Sequence, residues 1–218
     1  MTPTTPTPPE QESEAPFSIF ALSGYKGSGK TTAAGMLQAI SLGDLAIRSF
    51  ATPLKVTLRK MNPVIDPETG LRLEDAMRTH GEDGVKQRFP EYRRLMQGMN
   101  SIKDFDQDFY GRIGAESTVA LAAGGHFEGV VFDDARFPSE LHSLDDAAED
   151  IALGMGRDVN LVTIRLGLPA PLDYSHQMHH TETALDDWEE SYTITAESLI
   201  QLREELEAIY QEVMSVTE

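Results

Sequence analysis

The chain has 218 residues, of which 40% are hydrophobic and 25% charged, a composition ordinary for a folded globular protein with one sizeable core. No apolar stretch approaches the ~20 residues of a membrane span, and no signal-peptide pattern opens the chain. The lack of cysteine excludes disulfides and thiolate zinc sites. We therefore expect a cytoplasmic protein without a membrane partner. The net charge of −18 argues against polymeric nucleic acid and favours a small-molecule substrate, because such a surface repels duplex DNA unless a local basic groove overcomes the repulsion.

The first 16 residues differ in composition from the rest of the chain. They hold five of the 12 prolines, and their only large apolar residue is Met1. Such a segment buries too little surface to offset the entropy of ordering it. We therefore predict a disordered tail over residues 1–16 and a folded domain over residues 17–218.

From residue 17 onward, strand-like runs alternate with helical ones. This alternation predicts an α/β protein in which a five-stranded, mostly parallel sheet has helices on both faces. The predicted strands are 17–23, 45–50, 129–133, 159–166 and 191–195. The stretch of about 52–125, between the second and third strands, is mostly helical or polar and indicates an insertion. Residues 199–213 show helical apolar spacing and predict a packing helix.

A glycine-rich loop follows the first predicted strand. Residues 24–32 fit the pattern G-x-x-x-x-G-K-[ST], and a helical run over 32–40 follows them. A strand, this loop and a helix in that order are typical of proteins that bind nucleoside triphosphates. Lys30 is predicted to reach the β- and γ-phosphates of ATP, and the Thr31 hydroxyl to bind Mg²⁺. The predicted phosphate-binding residues are Gly24, Lys26, Gly27, Ser28, Gly29, Lys30, Thr31 and Thr32.

Two carboxylates, Asp133 and Asp134, stand at the end of the third predicted strand. A carboxylate there can hold Mg²⁺ against Thr31. Because successive strand residues point to opposite sides, only one of the two can face the nucleotide. An ordinary strand-ending aspartate is the alternative interpretation.

Cations suited to phosphate binding follow this strand and also occur in the insertion. Arg136 lies just beyond the strand end, where open α/β sheets bind ligands, although it could equally pair with a nearby carboxylate. Lys55 and Arg59 lie one helical turn apart, as do Arg93 and Gln97. For both pairs a solvated helix surface is the alternative.

Three histidines lie close together near the C-terminus, at positions 176, 179 and 180. They could bind zinc, but neither a fixed ligand spacing nor a fourth ligand is evident. Thr181 and Glu182 can also be interpreted as the cap of a following helix.

Several of these stretches, in this order, resemble bacteriophage deoxynucleoside monophosphate kinases of the P-loop kinase group. The matching stretches are Gly24–Thr31, Phe50–Lys55, Pro90–Gln97, Val131–Glu140 and His179–Glu182. The resemblance runs from about residue 17 to residue 210. It implies a three-layer P-loop kinase fold whose helical insertion binds the phosphate acceptor, in the cytoplasm of a host cell if a phage encodes the chain.

The resemblance also implies a reaction, the transfer of the γ-phosphoryl of ATP to the 5′-phosphate of a dNMP with Mg²⁺ as cofactor. It aligns Asp134 with the metal-binding carboxylate and gives catalytic roles to Lys30 and Arg136. The implied acceptor-binding residues are Lys55, Arg59, Arg93, Arg94, Gln97, Arg136, His179 and Glu182. A homodimer is left open.

The acceptor phosphate has a second pKa near ~6, so it is mostly dianionic at neutral pH and needs no general base. Alignment and charge stabilisation would then supply the catalysis. A lid that excludes water is expected between Pro138 and Gly156 or just after Gly167. Phe109 or Tyr110 could form the wall that excludes a ribose 2′-hydroxyl.

Three other functions remain open from the sequence. One is a P-loop kinase with another acceptor, such as dephospho-coenzyme A or a hydroxymethylated base in DNA. A second is an NTP-dependent switch or ATPase that acts on a partner protein. A third is a non-catalytic nucleotide-binding scaffold, which the intact Lys30-Thr31 pair disfavours.

Overall fold

The computed structural model describes residues 15–167 and 183–215. Most of the predicted tail therefore lies outside the described residues. Five strands form the main sheet: β1 (Phe17–Gly24), β2 (Leu45–Arg48), β5 (Gly129–Phe132), β6 (Val159–Leu166) and β7 (Tyr192–Ile194). A small antiparallel pair consists of β3 (Val64–Asp66) and β4 (Leu71–Arg72).

Helices connect these strands. They are α1 (Lys30–Ile40), α2 (Thr52–Met61), α3 (Leu73–Arg88), α4 (Pro90–Asn100), a 3-10 helix (Ser101–Asp104), α5 (Phe109–Gly124), α6 (Pro138–Met155) and α7 (Leu199–Ser215). None of the helices in the described ranges is both long enough and apolar enough to span a bilayer. The helices α2 to α5 all lie in the long connection between β2 and β5, as the sequence predicted.

The main sheet has the strand order β2-β5-β1-β6-β7, and every pair in it is parallel. The five predicted strands and the α/β architecture are confirmed, with a sheet that is wholly parallel and not only mostly so. β1 lies at the centre and is buried along its length up to Ser23. A strand covered on both faces has no solvent side, which explains why its sequence is largely apolar and does not alternate with exposed polar residues.

Alternating side chains of β1 divide the core into two layers. Phe17, Ile19 and Ala21 pack in the cluster that includes residues of α2 to α6. Phe20 and Leu22 pack in the cluster with α1 and α7. Because successive strand residues face opposite sides, one apolar strand supports helices on both faces, which gives the predicted three layers.

The second predicted strand is shorter than expected. β2 ends at Arg48, whereas the sequence predicted a strand to residue 50. The main-chain N–H groups of Phe50 and Ala51 donate to the carboxylate of Asp134 at 2.7 and 3.1 Å. The chain leaves the sheet at this point because a side chain just beyond the end of β5, and not the main chain of β5, accepts these hydrogen bonds.

Helix α5 packs unusually close to its neighbours through two glycines. A Cβ at Gly111 would lie 2.4 Å from Ser143 Oγ on α6, and one at Gly114 would lie 2.6 Å from the Phe50 ring. Any larger residue would push α5 away from α6 and from the Phe50 ring. This packing fixes the insertion against the end of β5.

Residues 183–198 lead from the undescribed segment back to the sheet. Leu185 is buried in the core, and Trp188 packs edge-on against His142 of α6 with ring centroids 5.2 Å apart. β7 follows, and α7 then covers the sheet face opposite α6. The segment 183–190 thus lies between the sheet edge and α6.

Candidate active site

The glycine loop has a backbone that only glycine adopts easily. Gly24, Gly27 and Gly29 have φ angles of 129°, 85° and 90°, all in the left-handed half of φ space. A Cβ at Gly24 would also lie 2.3 Å from the carbonyl oxygen of Leu166 on β6. The loop can therefore curl tightly between β1 and the N-terminus of α1, where unpaired N–H groups and the helix dipole favour an anion.

Lys30, the first residue of α1, points back into this loop. Its Nζ donates to the carbonyl oxygens of Gly24 at 2.6 Å and Tyr25 at 2.8 Å. The ammonium is thus held beside the main chain that would surround a phosphate. Lys26, by contrast, is exposed.

Asp133, and not Asp134, faces the glycine loop. The Thr31 hydroxyl donates to Asp133 Oδ2 at 3.0 Å, which joins the start of α1 to the end of β5. The sequence-based choice of Asp134 as the carboxylate that faces Thr31 is therefore wrong. Asp134 points to the other side, as alternation along the chain requires, and accepts hydrogen bonds from the N–H groups of Phe50 and Ala51.

The environment of Asp133 suits a cation. Its Oδ1 is buried and, among the described residues, has no hydrogen-bond partner. Burial raises the pKa of the Asp133 carboxyl, as does the negative charge of Asp134, while the Thr31 hydrogen bond and the Lys55 ammonium oppose the rise. A carboxylate that is costly to ionise and has an unpaired oxygen is a natural cation ligand.

Thr31 and Asp133 together fit Mg²⁺, a hard ion that takes oxygen ligands and is usually held by one or two protein groups plus phosphate oxygens. Within residues 15–167 and 183–215, no group of three or more histidine, aspartate or glutamate side chains could hold a metal ion by itself. The three histidines of the zinc hypothesis, at positions 176, 179 and 180, lie outside the described residues.

A cavity of about 380 Å³ opens between the insertion and the end of β5. Its apolar walls are Phe50, Ala51, Leu54, Met96, Tyr110 and Phe137. Its polar lining consists of Gln97, Asn100, Lys103, Asp134, Arg136 and Glu140. The flat aromatic and apolar walls with two amide side chains suit a planar polar ring, and Arg136 supplies a cation beside the strand end.

The structure brings only some of the predicted acceptor residues to this cavity. Gln97 and Arg136 line it, whereas Arg93 and Arg94 are exposed on α4 and do not. Arg94 lies 3.8 Å from Glu91, one turn away on its own helix.

Lys55 and Arg59 on α2 are held by carboxylates of α3 and are not among the lining residues. Lys55 lies 3.0 Å from Glu82, and Arg59 lies 2.7 Å from Glu74. Both pairs tie α2 to α3, although Lys55 still acts electrostatically on Asp133. Two further predicted acceptor residues, His179 and Glu182, lie outside the described residues.

A buried ion pair in the cavity was not identified from the sequence. Lys103 Nζ donates to Glu140 Oε1 at 2.7 Å, and the Glu140 side chain is only 3% exposed. Glu140 Oε2 accepts the main-chain N–H groups of Arg136 at 2.8 Å and Phe137 at 3.2 Å. Burial raises the pKa of the Glu140 carboxyl, and Lys103 opposes that rise.

One member of this pair, Glu140, has a partial signal in the sequence. Glu140 stands three residues after Phe137 at a Pro-initiated helix, a position from which a carboxylate reaches back to the first N–H groups. The sequence left open that the Arg136 side chain pairs with a nearby carboxylate, whereas in the structure the main-chain N–H of Arg136 donates to Glu140 Oε2. Nothing in the sequence pairs Lys103 with Glu140, because 37 residues separate them.

A second cavity of about 330 Å³ lies on the opposite side of the glycine loop. Residues 27–29 form one wall, and the start of α7 with the preceding turn, residues 196–199, forms another. Leu166 and Gly167 at the end of β6 complete it. This turn was not predicted from the sequence to be part of a site.

Residues of the segment 183–190 form hydrogen bonds with the glycine loop and with the end of β1. The Tyr25 hydroxyl donates to Asp186 Oδ1 at 3.2 Å, and the Arg165 guanidinium also pairs with Asp186. Ser23 donates to Glu190 Oε1 at 2.6 Å. The glycine loop is therefore attached to the residues that follow the undescribed segment.

No protein-family model and no curated protein matches the chain. Among solved structures, an unliganded sugar kinase from Janibacter sp. HTCC2649 is similar, with 16% identity over 93% of this chain and 96% of that one and a TM-score of 0.45. Shikimate kinase from Acinetobacter baumannii in complex with shikimate has 14% identity, coverage of 94% and 96%, and a TM-score of 0.40. The fold is defined by the strand order and the contacts given above.

Proposed function

We propose that the chain is a P-loop kinase that transfers the γ-phosphoryl group of ATP to the 5′-phosphate of a deoxynucleoside monophosphate. The observation that carries this proposal is the position of two neighbouring residues. Asp133 bonds to Thr31 beside the glycine loop, and Asp134 lines the 380 Å³ cavity. A nucleotide on the loop and a molecule in the cavity would thus meet at the end of β5.

ATP would lie along the glycine loop. Its phosphates would contact the loop main chain and the Lys30 ammonium, and its nucleoside would occupy the 330 Å³ cavity between the loop and α7. Thr31 and Asp133 would hold Mg²⁺. When bound, Mg²⁺ would supply positive charge that offsets the negative charge developing on the phosphates during transfer.

The acceptor would occupy the larger cavity. Phe50, Tyr110 and Phe137 offer aromatic surface to a base, while Gln97 and Asn100 offer both hydrogen-bond donors and acceptors. Arg136 would grip the acceptor phosphate at the end nearest the loop. Tyr110 lines the cavity and Phe109 does not, so Tyr110 is the better candidate for the wall that excludes a 2′-hydroxyl.

No general base is needed for this reaction, because a phosphate monoester with a second pKa near ~6 is mostly dianionic at neutral pH. The chain's own residues would align the two phosphates in line and stabilise the charge between them, through Lys30 from the donor side and Arg136 from the acceptor side.

The test is ADP release, measured with ATP and Mg²⁺ against dNMPs, NMPs, shikimate, simple sugars, dephospho-coenzyme A and a hydroxymethylated duplex DNA. We expect turnover with at least one dNMP, weaker turnover with the matching NMP and none with the duplex. ADP release that no acceptor stimulates would indicate an ATPase or switch. Turnover of a sugar or of dephospho-coenzyme A alone would replace the dNMP proposal with that acceptor.

A further inference from the structure

The Lys103 side chain is an almost buried cation at the acceptor cavity. It is 14% exposed, belongs to the 3-10 helix that links α4 to α5, and lines the cavity together with Asn100 and Gln97. Its ammonium lies 3.8 Å from the centroid of the Phe137 ring and 2.7 Å from Glu140 Oε1. One contact from α6 and one from the residue just before it thus fix the position of the ammonium group.

The Lys103–Glu140 pair carries no net charge toward the cavity. Glu140 uses its other oxygen for the N–H groups that begin α6, so the carboxylate is anchored and cannot follow a moving lysine. An ammonium has three donor hydrogens, of which Glu140 Oε1 takes one. The remaining donors can reach a ligand atom, whereas the neutralised charge gives little attraction for a phosphate dianion.

Arg136 differs from Lys103 in this respect. Its side chain is exposed, lines the same cavity and, among the described residues, has no carboxylate within ion-pairing distance. It therefore keeps its full charge for a phosphate. Arg136 thus presents a full positive charge near the end of β5. Lys103, whose charge Glu140 neutralises, presents hydrogen-bond donors beside the two amide side chains of the insertion.

We propose that Lys103 donates a hydrogen bond to a ring heteroatom of the acceptor's base, and that Glu140 is a positioning residue that holds Lys103 for this contact. This inference rests on the proposed function. It assigns recognition of the neutral ring to Lys103 and recognition of the phosphate to Arg136.

Two acceptor-site ligands separate these roles: a dNMP and deoxyribose 5-phosphate, which has the same sugar and phosphate but no base. Binding of each would be measured with wild type, Lys103→Met and Arg136→Ala, using competition against the dNMP for the weaker ligand. We expect Lys103→Met to weaken dNMP binding about 10- to 100-fold, the range for one charge-assisted hydrogen bond, and to leave deoxyribose 5-phosphate unchanged. Arg136→Ala should weaken both ligands.

Lys103→Met alone leaves a buried, unpaired carboxylate and can destabilise the fold. The double variant Lys103→Met/Glu140→Gln removes both charges, and the glutamine Oε1 can still accept from the N–H groups at the start of α6. It should melt close to wild type and show the same ligand pattern as Lys103→Met.

Three results would overturn the inference. Equal losses for the two ligands in the double variant would show that Lys103 serves the phosphate or the cavity shape. Unchanged binding of both would show that the ion pair is only structural. If wild type bound no dNMP at all, the proposed function would fail as well, which sets that outcome apart from the first two.

Discussion

The two ends of the candidate site are built in different ways. The proposed donor end is one continuous stretch, residues 24–32, whose shape comes from positive φ angles and whose phosphate contacts would come largely from the main chain. The proposed acceptor end is assembled from side chains of three separate segments, 50–54, 96–110 and 134–140. A site made of backbone is local in sequence, whereas a site made of side chains depends on how distant helices pack.

The sharpest test of the donor end is Lys30→Ala. Loss of the one ammonium held inside the loop should lower the transfer rate by on the order of 10²–10³, because a cation at the transferring phosphoryl group is worth several kcal/mol of barrier. Lys26→Ala, which removes an exposed cation of the same loop, is the comparison variant and should lower the rate much less than Lys30→Ala. A Lys30→Ala enzyme within about fivefold of wild type would disprove the assignment of the loop.

The next test separates the two neighbouring aspartates where the ends meet. Asp133→Asn should raise the Mg²⁺ concentration needed for half-maximal activity and lower the maximal rate by about 10²-fold, since it weakens the ligand beside Thr31. Asp134→Asn should leave the Mg²⁺ dependence unchanged and lower stability, because Asp134 holds the N–H groups of residues 50 and 51. The reverse pattern would restore Asp134 as the metal ligand.

A third test compares arginines at the acceptor end. Arg136→Ala should raise the KM for the dNMP about tenfold or more while the KM for ATP changes little, since Arg136 lines the acceptor cavity. Arg93→Ala should change either value less than about twofold, because Arg93 is exposed on α4 and does not line the cavity. A larger effect at Arg93 would mean that the insertion closes over the acceptor.

The difference between the loop built from main chain and the cavity built from side chains explains which features the sequence could predict. The loop, the five strands and the role of the insertion as a helical connection follow from periodicity and from glycine spacing, which are local properties. The choice of Asp134 over Asp133 was wrong because the sequence shows that two adjacent residues face opposite sides, but not which side the first one takes. Lys103 was missed because only the packing of α5 against α6 brings it to Glu140.

Stability offers a smaller test of the backbone-built end. Gly24→Ala should lower the free energy of unfolding by about 1–3 kcal/mol, since it adds a strained φ angle and a contact with the Leu166 carbonyl oxygen. Gly27→Ala has the strained φ angle without the contact and should cost less. Urea denaturation measures both, and equal losses would show that the close approach to β6 is unimportant.

The smallest expected effect is a pH dependence at the acceptor end. Burial raises the pKa of the Glu140 carboxyl, and the negative charge of Asp134 raises it further. The Lys103 ammonium and the N–H group of Arg136 act in the opposite direction and lower it. A carboxyl whose pKa is higher in the folded state than in the unfolded state increases the free energy of unfolding while it is protonated. This contribution is fully present below the unfolded-state pKa of ~4.3 and is lost as pH rises through the folded-state pKa.

The stability advantage of wild type over Glu140→Gln should therefore shrink as pH rises above ~4.3 and then level off. Urea denaturation at a series of pH values, with both proteins measured side by side, gives this difference. An advantage that grew with pH over the same range would show that Lys103 outweighs burial.

The contact between Trp188 and His142 gives the protein a built-in optical probe. Trp188 is the only indole in the sequence, so ultraviolet emission from tryptophan reports on this single place. It lies between Asp186, which holds Tyr25 of the glycine loop, and Glu190, which holds Ser23. A spectral change on adding ATP would record, without any attached dye, that the segment bearing Trp188 shifts against α6 when the loop takes up its nucleotide.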